Sequence, residues 1–181
     1  MKINSGIFRN SSIEILKNSS FRPTTSICRK SFFDTIGPLE KKSFLDIFAG
    51  SGIMGFEAAS RGAKNVTFVE LNKKYLNQII ANSKKFKYNE FYFMVRDAHR
   101  FIKKSDNFDI IFADPPYEHY DLNLFVKNAI KKLNKGGILA IECSSKETLE
   151  GFDKIAKFGD TNLLYWNCLL YTSPSPRDTV T

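Results

Sequence analysis

The tetrad Asp114-Pro115-Pro116-Tyr117 follows the apolar run 108–113 and combines a carboxylate, two rigid prolines and an aromatic ring. Consecutive prolines cannot donate to a strand ladder, so they should end a buried strand and fix the backbone there. The Asp114 carboxylate and the Pro115 carbonyl can accept hydrogen bonds from an exocyclic amine, while Tyr117 can stack on a flipped base. The four residues are therefore predicted to be catalytic; the alternative is an Asp-Pro turn with a surface tyrosine.

A second chemical signal is the G-x-G-x-x-G pattern from Gly50 to Gly55, which follows the apolar run 43–49. Glycines allow a tight turn and let a nucleotide-like ligand approach the N-terminus of the next helix. The candidate cofactor-binding residues here are Asp46, Phe48, Ala49, Gly50, Ser51 and Gly52. NAD and FAD enzymes use the same loop, so the motif alone leaves the cofactor open.

Acidic residues around this loop narrow the choice of cofactor. Glu70 lies 18 residues after Gly52, where it can accept hydrogen bonds from both ribose hydroxyls of an adenosine. Asp46 distinguishes the two classes of cofactor better, because dinucleotide sites usually have an apolar residue at this position, whereas the cationic groups of S-adenosylmethionine favour a carboxylate. The alternative is that Asp46 only caps the loop. Asp97 can accept from an adenine amino group, cap the next helix, or do both. Glu70, Leu71, Asp97 and Ala98 complete the candidate cofactor residues, and S-adenosylmethionine is the predicted cofactor.

The acid at position 114 also bears on the methyl acceptor. A guanine Watson–Crick edge presents adjacent N1–H and N2–H donors, which match two carboxylate oxygens, whereas adenine suits an asparagine amide better. Asp114 therefore favours guanine N2. Three alternatives remain open: methylation of another RNA base, of DNA or of a protein amide; an NAD-binding oxidoreductase; and a catalytically silent RNA-binding module. An oxidoreductase leaves Asp46 and the tetrad unexplained, and a silent module does not need the cofactor carboxylates.

Apolar and β-branched runs alternate with helical patterns along most of the chain. The runs are 43–49, 65–71, 91–95, 108–113 and 137–143, and the helical patterns lie near 53–61, 73–86, 98–104 and 122–134. This alternation predicts a parallel sheet with helices on both faces. Gly136-Gly137 is expected to stop the last helix, and strands near 152–158 and 161–166 would close the sheet. Residues 38–167 are the predicted Rossmann-like methyltransferase domain.

Residues 1–37 are predicted to form a small N-terminal arm with a hairpin at 3–17 and a helix capped by Thr24 or Thr25. The chain carries a net charge of +8, and residues 1–42 contain eight Lys or Arg against three Asp or Glu. This excess favours a polyanionic partner such as RNA, unless the lysines only cover solvated helix faces. The candidate RNA-binding residues are Arg9, Arg22, Thr24 and Arg29. Alternatively, the arm is a flap that packs on the sheet.

Other features exclude further classes of function. No apolar run approaches the roughly 18 residues that cross a bilayer, and the first residues lack a secretory signal, so a cytoplasmic protein is expected. The three cysteines form no CxxC pair and the two histidines stand alone, so neither a disulfide framework nor a metal site is predicted. Residues 168–181, CLLYTSPSPRDTVT, are predicted to be a non-native tail. Nothing in the sequence demands more than a monomer.

Taken together, these motifs resemble the RsmD-type family of bacterial 16S rRNA guanine-N2 methyltransferases. The resemblance runs from about residue 20 to 166 and is carried by Arg22-Pro23-Thr24-Thr25, 44–52, 55–57, Val69-Glu70, Asp97-Ala98, the 114–117 tetrad and Gly159-Asp160-Thr161. It implies a class I S-adenosylmethionine-dependent fold, Rossmann-like with a mostly parallel seven-stranded sheet. It also implies a guanine of 16S rRNA on an assembling small ribosomal subunit as substrate, with Arg22 and Thr24 near the active site. The chain departs from the family at 26–30, where Ser-Ile-Cys-Arg-Lys replaces Asp-Arg-Val-Arg-Glu, and at 10–13.

Overall fold

The computed structural model describes residues 1–116 and 120–167. These residues form one seven-stranded sheet in the order β3-β2-β1-β4-β5-β7-β6. The strands are β1 (Ser43–Ile47), β2 (Asn65–Glu70), β3 (Phe91–Val95), β4 (Phe108–Ala113), β5 (Leu133–Ser144), β6 (Lys154–Phe158) and β7 (Thr161–Asn167). The helices are α1 (Ser26–Ile36), α2 (Ile53–Ser60), α3 (Lys73–Ser83), α4 (Ala98–Lys104) and α5 (Leu122–Ile130). Strand β7 runs antiparallel to β5 and β6, and the other neighbouring pairs are parallel.

The sheet is covered by apolar side chains on both faces. Because neighbouring side chains of a strand point to opposite faces, Phe44 and Leu45 of β1 belong to two different hydrophobic clusters. The Phe44 cluster includes residues of α1, α2 and α3, and the Leu45 cluster includes residues of α4 and α5. This arrangement explains why the central strands are near-continuous apolar runs, and it confirms the predicted class I fold.

The strand order reverses next to β1, which lies between β2 and β4. In sheets of this kind, the crossover connections on the two sides of such a point leave a crevice at the carboxyl ends of the strands, where ligands bind. Glu70 ends β2 at this edge, and Asp114 directly follows β4. The topology therefore brings together the chemical signals that lie far apart in the sequence.

The connection from α5 to β5 differs from the prediction. Helix α5 ends at Ile130 and β5 begins at Leu133, so Gly136-Gly137 lies inside the strand and does not stop the helix. The β4–β5 register shifts between Phe108 and Ile110, and a Cβ on Gly137 would lie 2.9 Å from the Asp109 carbonyl oxygen. The glycines accommodate an irregular pairing of the two strands, and their predicted role as a helix stop was wrong.

The N-terminal arm packs against the sheet domain. The predicted hairpin at 3–17 is reduced to one antiparallel bridge between Lys2 and Ser12, because few backbone pairs connect its two sides. Ile3 and Ile13 are buried in the same cluster as α1 and α2. Helix α1 begins after Thr25, whose hydroxyl accepts from the Cys28 N–H, as one of the two predicted caps requires. None of the helices in the described ranges has the length and apolar character that crossing a membrane requires.

Candidate active site

A cavity of about 830 Å³ opens at the carboxyl edge of β1, β2 and β4. Most of its lining comes from residues 20–24, Asp46, 48–51, 69–72, 114–116 and Tyr120, and Ile53, Met54, Tyr75, Arg96, Ala98 and Phe112 complete it. A volume of this size accommodates a ligand as large as a nucleoside cofactor. Among the predicted cofactor residues, all line the cavity except Gly52 and Asp97.

The glycine loop is shaped by two left-handed glycines. Gly50 and Gly52 have φ of +55° and +77°, values that residues with a Cβ rarely adopt. A Cβ on Gly52 would lie 3.1 Å from side-chain atoms of Ile79 and Phe56, so this glycine allows close packing of the loop on α3. Gly50 borders the cavity and its N–H points to the Glu70 carboxylate, 2.8 Å away. Gly50 therefore shapes the wall of the cavity, and Gly52 allows the loop behind this wall to pack on α3.

Glu70 is held by two backbone donors. Its Oε2 accepts from Gly50 N–H at 2.8 Å, and its Oε1 accepts from Asn72 N–H at 2.9 Å. These bonds link the end of β2 to the loop after β1 and fix the carboxylate at the cavity wall. Each oxygen keeps a further lone pair, so Glu70 can still accept from the two hydroxyls of a ribose.

Asp46 lies at the floor of the cavity and is almost completely buried. Its Oδ2 accepts from Gly55 N–H at 3.0 Å, so it also holds the first turn of α2. Burial raises the pKa of the Asp46 carboxyl well above its ordinary value, and the negative charge of Glu70 contributes, although the Gly55 bond opposes the shift. A cationic ligand in the cavity would offset this unfavourable burial of charge.

Asp97 caps α4 and anchors an aromatic side chain of the cavity. Its Oδ1 accepts from Arg100 N–H at 3.0 Å, and its Oδ2 accepts from the Tyr120 hydroxyl at 2.7 Å. The Tyr120 ring stacks on His99 and meets the edge of Phe48. The helix-cap prediction is therefore confirmed. Contact of Asp97 with an adenine amino group stays a prediction.

The Asp-Pro-Pro turn forms the opposite wall of the cavity. Asp114, Pro115 and Pro116 all line it, whereas Tyr117 lies outside the described residues. Burial raises the pKa of Asp114 well above its ordinary value, with further increases from the negative charges of Glu142 and Asp46. Asp114 is thus an acceptor whose ionised form requires donors or positive charge nearby.

Glu142 is a buried acid that the sequence analysis missed. It lies in β5, is 7% exposed, and accepts a 2.7 Å hydrogen bond from the Thr24 hydroxyl. Burial raises its pKa, while the Thr24 bond and the charge of Arg22 act in the opposite direction. The sequence signal was an acid inside the apolar run 137–143, which is costly unless the acid has a function or a partner.

The predicted RNA-binding residues divide into two groups. Arg9 and Arg22 are exposed, and Arg22 also borders the cavity. Arg29 is 3% exposed, and its guanidinium donates to the carbonyl oxygens of Thr24 and Lys2. Thr24 is buried as well and is bonded to Glu142. The prediction of Thr24 and Arg29 as RNA contacts is therefore corrected, because both side chains hold the arm in place.

The residues of the cavity fit S-adenosylmethionine. Three carboxylates, Asp46, Glu70 and Asp114, border one space that also has an apolar wall formed by Phe48, Leu71 and Ala98. A ligand with a sulfonium, an amino group, a ribose diol and an aromatic base would offset the acidic charge and occupy the apolar wall. Within residues 1–116 and 120–167, no group of three or more His, Cys, Asp or Glu side chains could hold a metal ion.

Comparison with known proteins identifies relatives of the whole described chain. The sequence profile of the family described as Conserved hypothetical protein 95 matches residues 1–167. The Ribosomal RNA small subunit methyltransferase D of Haemophilus influenzae is 36% identical over 128 residues. That match covers 67% of this chain and 66% of the relative, slightly under two thirds of the relative's length.

Solved structures agree with the sequence comparison. A Haemophilus influenzae protein with the provisional name of a methylase is 26% identical, with a TM-score of 0.78 over 93% of this chain and 98% of that chain. A methyltransferase structure solved in complex with SAH is 14% identical, has a TM-score of 0.67, and covers 88% of this chain and 52% of that one. At this identity the second likeness concerns the fold.

Proposed function

The chain belongs to the Conserved hypothetical protein 95 family, the RsmD-type family that its motifs resemble, and on this premise we propose that it methylates N2 of a guanine in 16S rRNA. The cofactor of this methyltransferase is S-adenosylmethionine. The observation that carries the proposal is that the Asp114-Pro115-Pro116 turn and the glycine loop with Glu70 border the same cavity. An amine acceptor site and a nucleoside site are therefore in contact.

The residues of this chain bind and orient the reactants. When bound, S-adenosylmethionine supplies an electrophilic methyl carbon, whose bond to sulfur breaks as a bond to the target nitrogen forms. Glu70 accepts from the ribose hydroxyls, and Asp46 offsets the positive charge at the cavity floor. Asp114 and the Pro115 carbonyl accept from the amine N–H groups, which increases the lone-pair character of the nitrogen and aligns it for attack. The displaced proton leaves to solvent.

The acid at position 114 supports guanine as the methylated base. A carboxylate with a raised pKa is best compensated by two adjacent N–H donors, which guanine presents at N1 and N2. The neighbouring positive charge of the cofactor would favour the ionised carboxylate further. Adenine would place one acceptor against this site, and its ring nitrogen would repel the Asp114 oxygens.

The partner is proposed to be the small ribosomal subunit. The net charge of +8 suits a polyanionic surface, and exposed Arg22 at the cavity rim can meet a phosphate next to the target base. An rRNA substrate implies that the enzyme works in the cytoplasm, where the subunits assemble. The described residues of the proposed site all come from one copy of the chain, so we propose a monomer. We propose no metal, because Asp114 and the Pro115 carbonyl orient the amine.

The proposal is tested by methyl transfer from labelled S-adenosylmethionine to small ribosomal subunits that lack the modification. The expected product is N2-methylguanine in 16S rRNA, with a decrease in rate of at least about 100-fold for Asp114→Ala. Asp106→Ala removes an exposed acid outside the cavity and should keep the wild-type rate. Label in adenine, DNA or protein, with RNA guanine unlabelled, would contradict the proposed substrate.

A further inference from the structure

Glu142 is a buried acid beside the proposed reaction centre that has no role in the reaction as described above. Strands β4 and β5 are parallel, and Ala113 pairs with Ile141 in their register. Asp114 directly follows Ala113, and Glu142 directly follows Ile141, so the two acids lie side by side at the carboxyl edge of the sheet. Within the described residues, no hydrogen bond is made to the Asp114 side chain, and Glu142 has one, from Thr24.

Thr24 connects Glu142 to the wall of the cavity. This part of the wall consists of residues 20–24, all of which line the cavity; it is called the wall below. At its beginning, Ser20 N–H donates to the Tyr75 hydroxyl of α3 at 3.0 Å, and Phe21 meets the Tyr75 ring edge-on. At its end, the Thr24 hydroxyl donates to Glu142 at 2.7 Å. The wall therefore spans the cavity from the cofactor side to β5, and Glu142 holds its far end.

Few positive charges lie near Asp114 to offset the negative charge of Glu142. Asp46 of β1 is a second acid near Asp114, and Arg22 of the wall is the cation that acts on Glu142. The Cys28 thiol of α1 lies on the same face of the sheet as Glu142, whereas the Cys143 thiol of β5 points to the opposite face. Burial raises the pKa of both thiols, that of Cys143 to about 11. Both thiols stay neutral near pH 7, so the two carboxyls and Asp46 dominate the local field.

We propose that Glu142 is a positioning residue that controls two parts of the site: the 20–24 wall through Thr24, and the Asp114 carboxylate through its own negative charge. The inference rests on the proposed methyl transfer and deepens it. Glu142 does not touch the target base; it determines where the wall lies and how readily Asp114 is ionised. Thr24 and Glu142 thereby link binding of the substrate to the acceptor chemistry at Asp114.

Two substitutions separate the two parts of this role. Glu142→Gln removes the charge but keeps an oxygen that can accept from Thr24, so affinity for S-adenosylhomocysteine should change less than about threefold. Because the Glu142 charge raises the pKa of Asp114, its removal should shift the ascending limb of the kcat–pH profile to lower pH. Glu150→Gln, the same change at an exposed position outside the cavity, should leave the profile unchanged.

Thr24→Val keeps the shape of the side chain and removes the donor. We expect the KM for small subunits and the Kd of S-adenosylhomocysteine, measured by calorimetry, to rise about tenfold, since a hydrogen bond to a charged group is lost. Thr24→Ser restores the donor and should bring both values back to within about twofold of the wild type. The melting temperatures of all variants identify any that fail to fold. If Thr24→Val does not fold, Thr24→Ser can still be compared with the wild type.

Two results would overturn the proposal: a Glu142→Gln profile that superimposes on the wild type, or a folded Thr24→Val protein with unchanged KM and Kd. If Glu142 had only a structural role, its substitution would lower the melting temperature and the active fraction without moving the ascending limb of the pH profile. That result would also count against the proposal. If the wild type methylates an acceptor other than guanine, the same profiles are recorded on that acceptor. Failure of the substrate assignment is therefore distinguishable from failure of this inference.

Discussion

Buried and half-buried carboxylates are held differently in the two halves of the sheet. Around β1, β2 and α2, each receives backbone N–H groups: Asp46 from Gly55, Glu70 from Gly50 and Asn72, and Glu57 from Asn4 and Ser5. At the carboxyl edge of β4 and β5, the pair Asp114 and Glu142 receives a single hydrogen bond from the described residues, which the Thr24 hydroxyl donates to Glu142. Asp109, at the opposite end of β4, is held by Ser43 N–H and by two side-chain donors and does not belong to this pair.

This difference separates carboxylates that the protein itself stabilises from carboxylates that depend on a ligand for stabilisation. Backbone donors stabilise an ionised carboxylate before any ligand arrives, so the cofactor half is preorganised. Asp114 and Glu142 are two neighbouring acids that together receive a single hydrogen bond from the described residues, and burial raises the pKa of both carboxyls. We infer that the second half becomes electrostatically favourable only when a cation or N–H donors bind.

Replacement of Glu57, in the half of the sheet around β1, β2 and α2, should reduce the stability of the protein most. Glu57 is completely buried and also accepts from Arg61 Nε, so Glu57→Leu would leave two N–H groups of the arm and one guanidinium without their acceptor. We expect a loss of about 3 kcal/mol in the free energy of unfolding, measured with denaturant. Glu142→Leu should change it by less than about 1 kcal/mol. Equal losses in the two variants would refute the comparison.

Removal of Glu70 should affect the cofactor strongly and the fold less. Glu70→Ala loses both the proposed ribose acceptor and the bonds that hold Gly50 and Asn72, so we expect the Kd of S-adenosylhomocysteine to rise about 100-fold in calorimetry. Glu40→Ala, at an exposed acid away from the cavity, is the matched control. An affinity within about threefold of the wild type would show that Glu70 holds only the loop.

The smallest effect is expected from Asp114→Asn on the stability of the ligand-free protein. Because the folded state raises the pKa of Asp114, that state binds more protons than the unfolded chain, and stability falls as the pH rises through that range. Asn removes this cost, so the variant should be more stable at pH 7 by roughly 1 kcal/mol. The gain should disappear below about pH 4, where both states are protonated. Thermal unfolding between pH 3 and 8 measures this difference, and a loss of stability at pH 7 would contradict a destabilising Asp114 charge.

Much of the cofactor half could be predicted from the sequence. Its elements are local: an apolar strand, a glycine loop and a helix follow one another in the chain, so spacing alone locates Gly50 and Glu70. The predicted strands and helices of the parallel sheet agree with the structure within a few residues, apart from the start of β5. Residue types at fixed offsets were sufficient because the relevant contacts span few residues.

The substrate half depended on contacts that the sequence does not display. Glu142 resembles an isolated acid in a strand until the β4–β5 register places it beside Asp114. Arg29 resembles a surface cation of a basic arm, yet its guanidinium satisfies carbonyl groups that only the folded arm brings together. Gly136-Gly137 follows the usual pattern of a helix end, and only the irregular pairing with β4 shows its other use.

The hydrogen bond between Thr24 and Glu142 joins residues that are 118 positions apart. During synthesis the wall leaves the ribosome early, but its anchor in β5 is added only after most of the chain. At about 5 to 20 residues per second, this delay is roughly 6 to 24 s. A nascent chain that has completed the glycine loop therefore cannot yet close its substrate side. The Thr24–Glu142 contact therefore forms only after β5 has been synthesised.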